Sequence, residues 1–78
     1  MKLIIYSPEK TVFDGEVEMA EFPGGRGRFQ VLKDHDAIIS TLVTGEIRYR
    51  VNGEEFNQPV QSGYVEVHNN VISVCVHL

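Results

Sequence analysis

The dipeptide Asn52-Gly53 constrains this chain more than any other feature. It lies between two runs that alternate apolar and polar side chains, Glu46–Val51 and Glu54–Gln58. Asn-Gly between such runs is the strongest short-range signal for a β-hairpin closed by a type I′ turn. A two-residue turn fixes the register: Val51 opposes Glu54, Arg50 opposes Glu55, Tyr49 opposes Phe56 and Arg48 opposes Asn57. Directly opposed residues share a face. Ile47, Tyr49, Val51 and Phe56 therefore gather on one side, expected to be the core side. Arg48, Arg50, Glu55 and Asn57 gather on the other. The last hairpin sorts in the same way about Asn69-Asn70, a pair that tolerates the positive φ of a type I′ turn. Val67 faces Ile72 and Val65 faces Val74. On the opposite side Glu66 faces Ser73 and Tyr64 faces Cys75.

The rest of the chain carries turn signals every 8 to 12 residues, with apolar alternation between them. Lys2–Tyr6 reads as a first strand, followed by a turn at Ser7-Pro8-Glu9. Thr11-Val12-Phe13 is a short strand, and Asp14-Gly15 is expected to turn the chain. Glu16–Phe22 then alternates, with Val17 and Met19 on one side and Glu16, Glu18 and Ala20 on the other. Pro23-Gly24-Gly25-Arg26-Gly27 breaks it. Phe29–Leu32 is short and apolar, Lys33-Asp34-His35-Asp36 is a charged loop, and Ala37–Val43 is a further strand closed by Thr44-Gly45. No window sustains a 3.6-residue apolar period with helix caps. The expected fold is all-β: a two-sheet β-sandwich of about eight to ten short strands in one domain, residues 1–78.

Charge and composition narrow the function. Lys and Arg number 7 against 11 Asp and Glu, a net charge of −4, which argues against a nucleic-acid partner because phosphate contacts need a cationic surface. The single cysteine, Cys75, rules out an intrachain disulfide. In the strand-like run Val71–Val76 it reads as a reduced thiol in or beside the core. No segment approaches the ~18 apolar residues of a membrane helix. Met1–Tyr6 is too short for the apolar part of a signal peptide and is stopped by Ser7-Pro8.

No reactive centre assembles from the motifs. Pro23–Arg28 lacks the G-x-x-x-x-G-K-[ST] string of a phosphate loop. It occurs once, unlike the repeated Arg-Gly tracts of single-strand RNA binders, so it reads as a turn available for protein contact. His35 sits between Asp34 and Asp36, a combination that can act as base or metal ligand. The three histidines, His35, His68 and His77, show no metal-ligand spacing, and the loop reads as solvated. Glu16, Glu18 and Glu21 read as a wet strand face rather than a carboxylate pair for hydrolysis. Two rivals follow from the residues alone. One is an OB-like barrel binding single-stranded nucleic acid through Arg26, Arg28, Phe29, Arg48, Tyr49 and Arg50, weakened by Tyr49 falling on the core face. The other is a small metal-dependent β-barrel enzyme using the histidines.

The order of segments carries a resemblance over nearly the whole chain. Ser7-Pro8-Glu9 and Val12-Phe13-Asp14-Gly15-Glu16-Val17 are followed by Gly24-Gly25-Arg26-Gly27, then His35. Ile38-Ile39-Ser40-Thr41-Leu42, Gly45-Glu46-Ile47, Ser62-Gly63-Tyr64-Val65-Glu66-Val67 and Asn70-Val71-Ile72-Ser73-Val74 complete the series. This succession resembles the amino-terminal sandwich of the ATP synthase epsilon subunit. Four departures stand out. Asp34-His35-Asp36-Ala37 stands where the family reads Gly-His-Ala-Pro. Gln30 replaces a common glycine, Ser62 replaces the first of two glycines, and Arg28 falls where many relatives carry an acid. The family continues into a helical hairpin that carries inhibition and regulatory ATP binding, and this chain is expected to be a short form without it.

The resemblance implies a non-catalytic rotor subunit at the foot of the central stalk. It would bind the gamma subunit and rest on the polar loops of the c ring, coupling ring rotation to the catalytic head. It implies no cofactor and no nucleic acid. Contact with the membrane would come only through the complex, at the cytoplasmic face of a bacterial inner membrane. By the family's motif positions, Gly25, Arg26, Gly27, Arg28, Asp34, His35 and Asp36 are the candidate ring contacts.

Overall fold

Asn52 and Gly53 have φ of 50° and 80°, and Asn69 and Asn70 have φ of 51° and 61°. Both turns thus take the left-handed conformation of a type I′ hairpin. In the computed structural model, which describes residues 1–78, these turns join the last four of nine strands. The strands are β1 (Lys2–Tyr6), β2 (Thr11–Glu16), β3 (Met19–Gly24), β4 (Gly27–Val31), β5 (Ile38–Leu42), β6 (Gly45–Val51), β7 (Glu54–Val60), β8 (Ser62–His68) and β9 (Val71–His77). The register of both hairpins is the expected one: Tyr49 pairs with Phe56, Arg50 with Glu55, Val65 with Val74 and Val67 with Ile72.

The strands form two halves. One runs β2-β1-β9-β8-β5; the other is β4-β3-β6-β7. All pairings are antiparallel except that of β1 with β9. The halves are continuous at one corner, where Gly24 pairs with Leu42. There Gly25 N–H donates to the Thr41 carbonyl (3.1 Å) and Val43 N–H to the Pro23 carbonyl (2.9 Å). The two expected sheets are therefore the two faces of one curled sheet. Leu3, Ile5, Phe22, Val31, Ile47, Val65, Ile72 and Val74 fill the space between them and are fully buried. Each contributes about 1.5–3 kcal/mol by leaving water. Far from the corner, an aromatic row spans the halves. Phe13 of β2 meets Tyr49 of β6 at 4.4 Å between ring centroids, and Tyr49 stacks on Phe56 of β7 at 5.6 Å.

Three local expectations are corrected. Asp14-Gly15 does not turn the chain: β2 runs through it to Glu16, with Gly15 paired to Leu3. The bend falls instead at Val17-Glu18, and it resets the alternation. Ala20 pairs with Val31 and Tyr49 and is fully buried, on the core face rather than beside Glu18. The glycine-rich break is shorter than expected, because Pro23 and Gly24 belong to β3 and Gly27 to β4. Pro23 is tolerated inside a paired strand because it sits opposite Arg28 at a pair that exchanges no hydrogen bonds. Its carbonyl turns outward to Val43. Phe56 shares the face of Tyr49 but stays 40% exposed, since β7 is the last strand of its half.

Candidate functional site

The β3–β4 connection is a two-residue turn, Gly25-Arg26, closed by the Gly24–Gly27 pair. A side chain on Gly24 would strike the Gly27 carbonyl at 2.7 Å and the Phe29 ring at 2.9 Å. The glycine lets the hairpin close against Phe29, which packs on Phe22 at 5.6 Å. Arg26 stands exposed at the tip and makes no ion pair. Arg28 differs. Its guanidinium lies 2.9 Å from the Glu21 carboxylate and donates to the Glu46 carbonyl at 2.9 Å. Glu21 also holds Arg48 at 3.6 Å, and Arg50 pairs with Glu55 at 3.2 Å. The outer face of this half is thus a chain of alternating charges that satisfies itself.

The histidine loop lies at the far end of β4. Four strand steps, roughly 13 Å, separate it from the glycine turn. The loop is latched by Asn70, a residue the sequence marked only as a turn former. Asp34 N–H donates to Asn70 Oδ1 at 2.6 Å, and Asn70 Nδ2 donates to Asp34 Oδ1 at 2.9 Å. Asp34 pays a φ of 65° for this geometry, a conformation that Asn and Asp tolerate best among residues with a side chain. His35 N–H closes a turn onto the Leu32 carbonyl at 3.1 Å. His35 Nδ1 lies 2.8 Å from the Asp36 carbonyl. A carbonyl only accepts, so Nδ1 carries the proton. The imidazole thereby serves loop geometry.

Between these two groups runs a shallow strip. A depression lined by Gly25–Phe29 and Ile38–Thr41 meets a second beside Ile38, Ile39 and Glu66–His68. A third, lined by Asp34–Ala37 and His68–Asn70, continues it. All seven residues singled out in the sequence line this strip, at its two ends. Ile39, in the middle, was not singled out, and it is 76% exposed. The signal was present: adjacent Ile38 and Ile39 on a strand point to opposite faces, so one of them must face outward.

The remaining candidates have structural partners. Glu16 binds the amino terminus at 3.0 Å, and Glu18 accepts from Gly53 N–H at 2.6 Å. Glu18 thus ties the β2–β3 bend to the β6–β7 turn. Arg48 and Arg50 are engaged with Glu21 and Glu55, and Tyr49 is buried, so no stacking platform is presented beside the arginines. Burial raises the Tyr49 hydroxyl above its ordinary pKa. No three His, Cys, Asp or Glu side chains come together as a metal ligand set. Cys75 is half-buried in a cross-strand row with Tyr6 and Tyr64. The Tyr64 pKa is raised, chiefly by the neighbouring Tyr6 side chain. The largest groove, about 570 Å³, opens beside this row between Ser7–Lys10 and Cys75–Leu78.

Residues 1–77 match the family described as the β-sandwich domain of the ATP synthase delta/epsilon chain. The chain belongs to this family. A relative from Desulfitobacterium hafniense (strain DSM 10664 / DCB-2), an ATP synthase epsilon chain, is 38% identical over 72 residues, which is 92% of this chain and 54% of the relative. The epsilon chain of Leptospira borgpetersenii serovar Hardjo-bovis (strain JB197) is 32% identical over 74 residues, 95% of this chain and 58% of the relative. The chain thus spans little more than half the length of these relatives. Two solved structures share its fold. One is a chain of the Euglena gracilis mitochondrial ATP synthase (OSCP/F1/c-ring), with TM-score 0.88 and 17% identity, covering 95% of this chain and 48% of that one. The other is a chain of the central stalk/c-ring of the Tetrahymena thermophila mitochondrial ATP synthase, with TM-score 0.82 and 19% identity, covering 99% and 63%.

Proposed function

We propose that this chain is a non-catalytic body of the ATP synthase central stalk, held between the gamma subunit and the c ring. The observation that carries this reading is the family match over residues 1–77, on a fold also found in chains of central-stalk and c-ring assemblies. The physical form suits the task. Torque must pass through the body without being absorbed, and a close-packed interior resists deformation. The continuous hydrogen-bonded corner at Gly24–Leu42 and the Phe13–Tyr49–Phe56 row tie the halves together on either side. The work is mechanical: no bond is made or broken by this chain, and its action needs no cofactor. The candidate ring contacts are Gly25, Arg26, Gly27, Arg28, Asp34, His35 and Asp36. No helix is long and apolar enough to cross a membrane. The chain reaches the cytoplasmic face of a bacterial inner membrane by way of its partners.

The test uses membranes from the source organism stripped of their epsilon subunit. Adding residues 1–78 is expected to restore ATP-driven proton pumping and to bring down gamma in a pull-down. Pumping that stays at the depleted level with the chain folded and present in excess refutes the reading.

A further inference from the structure

The strip between the glycine turn and the histidine loop is electrically bipolar, and its middle is an unpaired strand edge. Arg26 is a free cation at one end. At the other end Asp36 is exposed and outside every ion pair, beside Asp34, which is bonded only to Asn70. Between them β5 is paired with β8 on one edge, but on the other it is joined only where Leu42 meets Gly24. Thr41 C=O and Val43 N–H bond toward that second edge. Peptide groups alternate in direction along an antiparallel strand, so the N–H and C=O of Ile39 also face it. They are the next pair along, and no strand meets them. The Ile39 side chain is 76% exposed at the same point. An apolar side chain beside open backbone groups, flanked by opposite charges, is the pattern of a surface that takes an added segment of extended chain.

We propose that the partner contacts this strip with a short extended polypeptide loop. The loop pairs its backbone with Ile39 and covers the Ile39 side chain with an apolar residue. It places an acidic side chain at Arg26 and a basic one at Asp36. This deepens the reading of the strip as the ring-facing surface and rests on it. It also gives a consequence for Arg28. That guanidinium is already spent on Glu21 and the Glu46 carbonyl, so at the glycine-turn end of the strip Arg26 is the cation that the partner loop meets.

The test titrates the labelled chain onto immobilised gamma–c-ring assembly from the same organism, and onto gamma alone, at low and at physiological salt. Arg26→Glu and Asp36→Lys are each expected to weaken binding to the gamma–ring assembly about tenfold, more at low salt, and to leave binding to gamma alone unchanged. Ile39→Ser is expected to weaken it to a similar degree at both salt concentrations. All three positions are exposed, and each variant is checked for folding by circular dichroism before titration. Lysine in place of the acidic residue on the ring loop is expected to restore binding of Arg26→Glu. Wild-type affinity of Arg26→Glu or Ile39→Ser for the gamma–ring assembly overturns this proposal and leaves the ring contact standing. Equal wild-type affinity for the gamma–ring assembly and for gamma alone overturns both.

Discussion

Replacing Gly63 with alanine is expected to cost this fold more than any other glycine substitution outside the β3–β4 turn. Gly63 lies in β8, paired to Leu42 of β5 on one side and to Val76 of β9 on the other. A Cβ there would lie 2.2 Å from the Cys75 carbonyl oxygen and 3.1 Å from Val76 Cα. A comfortable carbon–oxygen contact is about 3.3–3.6 Å, so β9 must retreat by about 1 Å. The obstacle is backbone, which cannot swing aside as a side chain can. Overpacking of this kind costs about 1–3 kcal/mol, and φ at Gly63 is +154°, which alanine adopts at a further cost of about 1–3 kcal/mol. A total near ~3 kcal/mol is a large part of the roughly 4–12 kcal/mol available to a domain of this size. Each kcal/mol moves the midpoint by about 4–8 °C in small domains, so a fall of at least ~12 °C is expected by far-UV circular dichroism. Gly53→Ala is the control. It has φ +80° with nothing within 4 Å of the added carbon, so it meets the conformational cost alone, about 1–2 kcal/mol. If Gly63→Ala melts at or above Gly53→Ala, the steric argument is wrong.

Three further outcomes follow from contacts described above. Tyr49→Ala removes the centre of the aromatic row and is expected to cost about 3–5 kcal/mol, while Phe56→Ala, at the exposed end, costs about 1–2 kcal/mol; urea midpoints that place the two in the reverse order contradict the row's assigned geometry. Glu21→Gln loosens Arg28 and Arg48 together on a partly exposed face, and about 1 kcal/mol is expected at low salt, shrinking as salt rises; a loss independent of salt would point to packing instead. Stability should hold level up to about pH 10 and decline above it. The unfolded state releases the Tyr49 proton there, while the fold, whose Tyr49 pKa is raised by burial, retains it. Tyr49→Phe should flatten that alkaline decline, and an unchanged slope would remove Tyr49 as its source.

The sequence was most legible where a turn has chemistry of its own. Asn52-Gly53 and Asn69-Asn70 announce positive φ, so both hairpins and their registers could be read directly. Asp14-Gly15 misleads because its glycine serves another end. The Phe13 ring lies over Gly15, 3.1 Å from where a Cβ would be, and the small residue accommodates the ring rather than a turn. Ala20 was misplaced because the bend at Val17-Glu18 shifts the alternation by one, and neither residue signals a bend. In the candidate site, the charged and glycine positions were marked by the resemblance to the family's motif order, while the residues alone read as a plain turn and a solvated loop. The latch between Asp34 and Asn70 joins residues 36 apart in the chain, and the isolation of Ile39 depends on which strands fail to meet. Only the folded arrangement discloses either.

The parallel pairing of β1 with β9 carries a consequence for biogenesis. β9 is wedged between β1 and β8, so residues 71–77 are the only bridge joining Lys2–Glu16 to the rest of their half. β1 has to await β9 before it gains its second neighbour, and contacts so distant in sequence close slowly. Until β9 docks, the β1–β2 hairpin keeps one open edge, a ready target for chaperones and proteases. The β1–β2 hairpin is thus secured only in chains that carry an intact β9.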